Sequence, residues 1–321
     1  MLRSYTYQLD EDEAEELRFG PVDRYITDVR LPAERDNIPA TIPRFVRSVM
    51  EIQTQWKLFN RSPVTCFEIR RATPGRLRFV YTTPTQRLMR KIKLQLSDEI
   101  PGVSFEDGAT GLPVSEDETL GCGLLTTGRK DWFPLRTEFD RPLLNNLVST
   151  LHRHAFQDTK IVVQVLFQPV AGRPFRRWWW RRRAIQRRNY LKKEKQRLWG
   201  ELEPTRREKT QARLVDRKIG NPRFHTTIRF AVIGAGDYTR SRVKELSGAF
   251  NAAEHPETGQ YLDTVTVSPL RDRKILEFAS SIALQRFTGH RLAFHTTPEE
   301  LGALLALPDC TGQDNITVSQ I

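Results

Sequence analysis

Residues 64–81 read VTCFEIRRATPGRLRFVY. Two β-rich runs, Val64–Ile69 and Leu77–Tyr81, flank RRATPGR, whose Pro74-Gly75 pair is a turn signal. A hairpin is the simplest reading, and its surroundings decide the fold. Upstream, Tyr25–Leu31 reads as a strand. Pro39–Phe59 carries Ile42, Phe45, Val46, Val49, Ile52 and Trp56 at helical spacing. Downstream, Thr83 is expected to cap a helix with Pro84 at its first position and Leu88, Ile92 and Leu96 on one face, running to Ser97. Val103–Phe105 is a short strand. The order is β-α-β-β-α-β, the ferredoxin-like or split βαβ arrangement.

The second half repeats that order. Thr119–Thr126 is a strand with small residues at its centre. Leu143, Leu144, Leu147, Val148 and Leu151 form a helical stripe. Ile161–Phe167 and Phe224–Ala235 are strands, Ser241–Phe250 a helix and Leu262–Val267 a strand. The expected fold class is α+β, with tandem ferredoxin-like units over 21–110 and 118–270. An acidic segment (1–20) precedes them, and Asp10–Glu16 reads as a solvated tail or a helix start. A helical segment and linker (271–321) follow. There Thr297, Pro298 and Glu300 spell a capping box ahead of Leu301, Leu304 and Leu305, and Pro308 stops the helix.

The halves differ in one place. Where the first has a turn, the second has 49 residues, Gly172–Gly220, opening GRPFRRWWWRRRAIQRRNYLKKEKQRLWGE (172–201). This insertion holds 18 Lys and Arg against 5 Asp and Glu; the rest of the 321-residue chain holds 33 against 34. The net charge of +12 therefore comes from one segment. A helix over Phe175–Trp199, the turn GELEP, and a second helix after Thr205, with Glu208 completing a capping box, predict a helical hairpin. Ala184, Leu191 and Leu198 face Ala212, Val215 and Ile219 as its seam.

Three readings of the hairpin stand at this point. It is a solvated charged arm with Trp packed at its root. Or it binds nucleic acid, with Arg and Lys on phosphates and aromatics on bases. Or it lies on anionic lipid, with Trp at headgroup level and Arg snorkelling. The contact residues would be Arg176, Arg177, Trp178, Trp179, Trp180, Arg181, Arg182, Arg183, Arg187, Arg188, Lys192 and Lys193. Three consecutive tryptophans fan around a helix at about 100° per residue, which argues against one insertion face.

Catalytic signatures are missing from the sequence. It has no GxxxxGK[ST], GxSxG or HExxH. Gly234-Ala-Gly236 reads as a strand-to-helix turn. His152 and His154 sit two apart on a helix, and His225, His255, His290 and His295 lack ligand spacing. Cys66, Cys122 and Cys310 form no CxxC and read as buried small residues. No enzyme activity and no cofactor are expected of this chain. It has neither a signal-peptide pattern nor an apolar run long enough for a membrane span, so a cytoplasmic protein, peripheral at most, is expected.

Three stretches carry a resemblance: IVVQVLFQPV (161–170), RFHTTIRFAVIGAG (223–236) and TTPEELGALLALPD (296–309). Together with the basic insertion between the first two, they resemble the region preceding the motor in HerA/FtsK-superfamily ATPases of conjugation and type IV secretion, archaeal plasmid or virus versions above all. The likeness spans Pro63–Asp309. It implies a non-catalytic N-terminal module on a hexameric DNA-translocating ring, with DNA or an anionic membrane surface, the ATPase core and neighbouring subunits as partners. The family continues into a Walker A strand and helix, whereas this sequence reaches Ile321 without one, as expected of a truncated product or a separate subunit. The rival reading is a free-standing nucleic-acid-binding protein without sequence preference, although HTTIRFAVIGAG is not an RNP motif. An enzyme on a ferredoxin-like scaffold is a third.

Overall fold

The computed structural model describes residues 5–32, 38–73, 76–152, 158–172, 174–193, 195–197, 200–267, 273–287 and 293–309. The first half runs β1 (Tyr7–Gln8), α1 (Glu11–Arg18), β2 (Tyr25–Arg30), α2 (Pro43–Ser48), β3 (Thr54–Gln55), β4 (Phe59–Asn60), β5 (Thr65–Thr73), β6 (Arg76–Thr83), α3 (Gln86–Glu99) and β7 (Ser104–Glu106). It continues with β8 (Thr119–Thr127), α4 (Leu144–Leu151), β9 (Lys160–Pro169), α5 (Pro174–Lys192), β10 (Lys195–Arg197), β11 (Gly200–Leu202), α6 (Arg206–Gly220) and β12 (Phe224–Ile233). Last come α7 (Thr239–Gly248), β13 (Leu262–Thr266), α8 (Arg273–Ala283), β14 (Phe294–Thr296) and α9 (Pro298–Leu305).

The protein is mixed α/β, built on a ten-stranded sheet whose pairings are antiparallel. Its path is β1-β8-β12-β9-β5-β6-β2-β7, with β13 also on β8 and β14 also on β12. In the first half β7, β2, β6 and β5 are successive neighbours; in the second, β13, β8, β12 and β9 are. The halves meet where β5 pairs β9, from Thr65 opposite Phe167 to Arg71 opposite Ile161. The Pro74-Gly75 turn lies outside the described residues.

Period-2 alternation sorts the strand side chains onto two faces. Ile161, Val163, Val165 and Phe167 belong to the larger core with Phe67, Phe79, Phe230 and side chains of α2, α3, α4, α7 and α9. Val162, Cys122, Leu124 and Ala231 belong to a second core under α1 and α8. Close approach explains the small residues of β8. A Cβ on Gly121 would lie 2.0 Å from Thr239 Cγ2, and one on Gly123 2.4 Å from Val243 Cγ1, so both glycines make room for α7.

The second face also buries a polar row. Glu68, Gln164 and Arg229 are cross-strand neighbours on β5, β9 and β12. Gln164 Nε2 donates to Glu68 Oε1 (2.7 Å), Arg229 donates to Gln164 Oε1, and Arg70 Nη1 donates to Glu68 Oε2 (2.8 Å). Arg229 Nη1 also donates to the Arg286 carbonyl (2.6 Å), and Gln285 Nε2 to Glu68 Oε1 (3.1 Å). Buried polar groups persist where they find such partners.

Several local expectations shift. Thr85, not Thr83, caps α3, accepting from Leu88 N; Thr83 is still in β6, opposite Tyr25. The helix foreseen over Pro39–Phe59 exists only as α2. It buries Phe45 and Val46 and packs on α9, so closely that a Cβ on Gly302 would lie 2.8 Å from Pro43 N. Beyond it, Trp56 and Lys57 take positive φ (51° and 56°) in the turn between β3 and β4. The expected capping boxes at Thr205–Glu208 and Thr297–Glu300 form, and the acidic Asp10–Glu16 stretch starts α1 with a further box at Asp10–Glu13.

Candidate nucleic-acid interface

α5 and α6 leave the sheet as an antiparallel pair from the facing ends of β9 and β12, where Pro169 opposes Phe224 and Val170 N donates to the Arg223 carbonyl (2.8 Å). Ala184, Leu191, Ala212 and Val215 are buried in their seam with Phe133, while Ile219 packs at the edge. Leu198 falls outside the described residues. α5 stops at Lys192, seven residues short of the expected Trp199, and β10 and β11 close the tip. Lys192–Arg197 reads KKEKQR and offers the seam no apolar residue, so nothing there rewards a continued helix.

The three tryptophans divide. Trp180 is the root: its Nε1 donates to Asp131 Oδ1 (2.8 Å), its ring edges His295 (5.3 Å) and the Arg223 guanidinium lies 3.6 Å over its face. Asp131 Oδ2 faces His295 Nδ1 at 2.6 Å and accepts from His295 N. Burial pushes the Asp131 carboxyl up, but the His295 hydrogen bond and charge, then Lys218 and Trp180, hold it well below the usual carboxylate range. Trp178 (50% exposed) and Trp179 (41%) face outward instead. Phe175 stacks on Trp178 at 6.1 Å, Arg182 covers Trp178 (5.0 Å) and Arg183 covers Trp179 (4.2 Å).

The remaining candidates spread along α5. Arg187 lies over Tyr190 (5.1 Å) and Phe133 (5.7 Å). Arg188 Nη1 donates to Asp216 Oδ1 (2.5 Å) and so holds the two helices together. Lys192 and Lys193 are exposed at the far end. Arg177 and Arg181 line a cleft at the root. The Arg176 side chain is not among those described. Of these cations, Arg188 alone forms an ion pair with a carboxylate among the described residues.

One exposed apolar patch beside the hairpin root was illegible in the sequence. The β3–β4 hairpin exposes Trp56 (76%), Leu58 and Phe59, with Ile52 exposed just ahead of β3, and Trp56 edges Phe59 at 6.2 Å. It sits at the start of the insertion: a Cβ on Gly172 would lie 2.8 Å from the Leu58 carbonyl oxygen, and Asn60 Nδ2 donates to the Pro169 carbonyl. QWKLF lacks the Asn-Gly or Asp-Gly signal of a tight hairpin, and its apolar spacing imitates a helix.

Among the described residues no group of three or more His, Cys, Asp or Glu is placed to hold a metal ion, and no helix is long and apolar enough to cross a membrane. The chain belongs to a family described as a domain of unknown function, DUF8128, whose model matches residues 1–321. A search of curated proteins gives no match to it.

Proposed function

We propose that this domain is a non-catalytic docking module that holds nucleic-acid phosphates, without sequence preference, on the outer face of α5. The observation that carries the reading is the ladder Phe175–Trp178–Arg182 beside Trp179–Arg183, where half-exposed aromatic rings are overlaid by guanidinia free of carboxylate partners among the described residues. Guanidinia of this kind neutralise phosphates, and the exposed rings offer stacking to bases. The strand orders β7-β2-β6-β5 and β13-β8-β12-β9 support two ferredoxin-like units joined through their β5 and β9 edges, with the hairpin extending the second unit. With the sequence likeness, this supports placement beside the motor ring of a HerA/FtsK-type DNA-translocation machine in the cytoplasm, with a neighbouring subunit or ATPase core as protein partner. A free-standing nucleic-acid-binding protein would use the same face.

Fluorescence anisotropy with unrelated single- and double-stranded oligonucleotides tests the reading. If roughly six phosphates are neutralised, log K falls against log salt with a slope of about −5 for every sequence. Arg182→Ser/Arg183→Ser/Arg187→Ser should flatten that slope. Trp178→Ala/Trp179→Ala should weaken single-strand binding by about 1–3 kcal/mol per stacked base and leave the slope unchanged. Absence of oligonucleotide binding at low salt, or binding to anionic vesicles in its place, overturns it.

A further inference from the structure

The cleft at the hairpin root is a separate feature from the outer face of α5. It encloses about 340 Å³ between the first turns of α5, the end of α6 and the 50–52 segment. Three of its lining side chains are Arg177, Arg181 and Arg223, and none is a carboxylate. Arg177 and Arg181 are exposed, one helical turn apart, and neither forms an ion pair among the described residues. Arg223 is only 7% exposed. Its guanidinium carbon lies 3.6 Å from the Trp180 ring centroid, and its buried Nη1 has no hydrogen-bond partner among the described residues.

Such an arrangement costs free energy without a ligand. A buried donor with no acceptor is destabilising, the more so when it is charged. The Arg223 pKa is lowered to about 10, first by burial and then by Arg177; Asp131 opposes this and Arg181 adds to it. Asp131 offsets the crowding only in part, since its oxygens already serve Trp180 and His295. An anion in the cleft would meet Arg177 and Arg181 beside an Arg223 guanidinium already held against Trp180, and that side chain has little entropy left to lose.

We infer that Arg177, Arg181 and Arg223 form a built site for one phosphoryl oxyanion at the root of the hairpin. For its source, a backbone diester or a terminal monoester of a nucleic acid, the inference rests on the proposed function; the chemistry of the site does not. A strand lying along α5 would have one phosphate anchored here, fixing its register against the hairpin, while the outer arginines contribute diffuse attraction.

Titration calorimetry with inorganic phosphate at low ionic strength tests the site on the intact chain. We expect saturable binding of one phosphate, weakened at least about ten-fold by Arg177→Ser/Arg181→Ser, whose exposed positions spare the fold. Arg223→Gln should abolish binding; the pair of exposed substitutions decides the matter if that variant does not fold. Arg182→Ser/Arg183→Ser should leave phosphate binding intact while weakening oligonucleotides, which separates the cleft from the outer face. Phosphate binding that persists when oligonucleotides fail to bind sinks the nucleic-acid reading and keeps the site. Competition by 5′-phosphorylated but not unphosphorylated oligonucleotides identifies a terminal monoester, equal competition a backbone diester, and either supports the site. No saturable phosphate binding, or binding indifferent to Arg177→Ser/Arg181→Ser, overturns it.

Discussion

Lys218 Nζ donates to Glu300 Oε1 at 2.8 Å, and both side chains are almost wholly buried. The pair joins the last turn of α6 to the capping box of α9, because Glu300 Oε2 also accepts from Thr297 N and Oε1 from Leu135 N. The basic arm is therefore tied to the body by a charge. Lys218→Met would leave Glu300 buried and uncompensated, at a cost of about 3–5 kcal/mol. Adding Glu300→Gln should recover part of that loss. Urea unfolding of the single and double variants checks both; a single variant as stable as the wild type would refute the pairing.

The same tie governs removal of the arm. Replacing Gly172–Gly220 by a short turn leaves β9 and β12 paired at Pro169 and Phe224, so a cooperative unfolding transition should survive. The deletion should be measurably more stable when combined with Glu300→Gln, since Lys218 leaves with the arm. Loss of cooperative melting in both versions would place the hairpin in the core.

Gly123→Ala brings a Cβ within 2.4 Å of Val243 Cγ1, and overpacking of this kind costs about 1–3 kcal/mol. Val243→Ala in the Gly123→Ala background should cost less than Val243→Ala alone. A double-mutant cycle read by thermal melting detects the coupling; strict additivity would contradict the contact.

Cys66 and Cys122 are buried, and burial pushes the Cys122 thiol up to about 12 and the Cys66 thiol well above its ordinary value, with Glu68 adding to the latter. Thiolate is the nucleophile, so neither should react with iodoacetamide in native protein at neutral pH, and both should react in urea. Peptide mapping by mass spectrometry separates them from Cys310.

Asp131 supplies an acid-side stability term. Its carboxyl is held low when folded, so the unfolded chain binds the proton more readily and stability rises with pH through this window. The contribution is complete above the unfolded value of about 4 and fades as pH falls below it. Asp131→Asn should lower stability at neutral pH and flatten the acid limb of the stability–pH curve. An unchanged acid limb would show that His295, Lys218 and Trp180 do not stabilise the charge.

The sequence alone determined what depends on neighbours along the chain: the order of the main strands and helices, the Thr205–Glu208 and Thr297–Glu300 caps, the Ala184, Leu191, Ala212 and Val215 seam, and the confinement of excess charge to one insertion. Caps and periodicity act within one or two turns, so they are legible without a partner in view. The tertiary structure decided what depends on register and long-range approach. It set Trp180 against Asp131 and His295 while Trp178 and Trp179 stayed outside, because a helix at about 100° per residue can turn only part of a WWW run toward the body. It brought Arg223 beside Arg177 and Arg181, aligned Glu68, Gln164 and Arg229 across three strands, and folded 54–60 into a turn where local spacing imitated a helix. Those outcomes follow from which strands pair and in what register, and a pairing between β5 and β9, about a hundred residues apart, leaves no local trace in either strand.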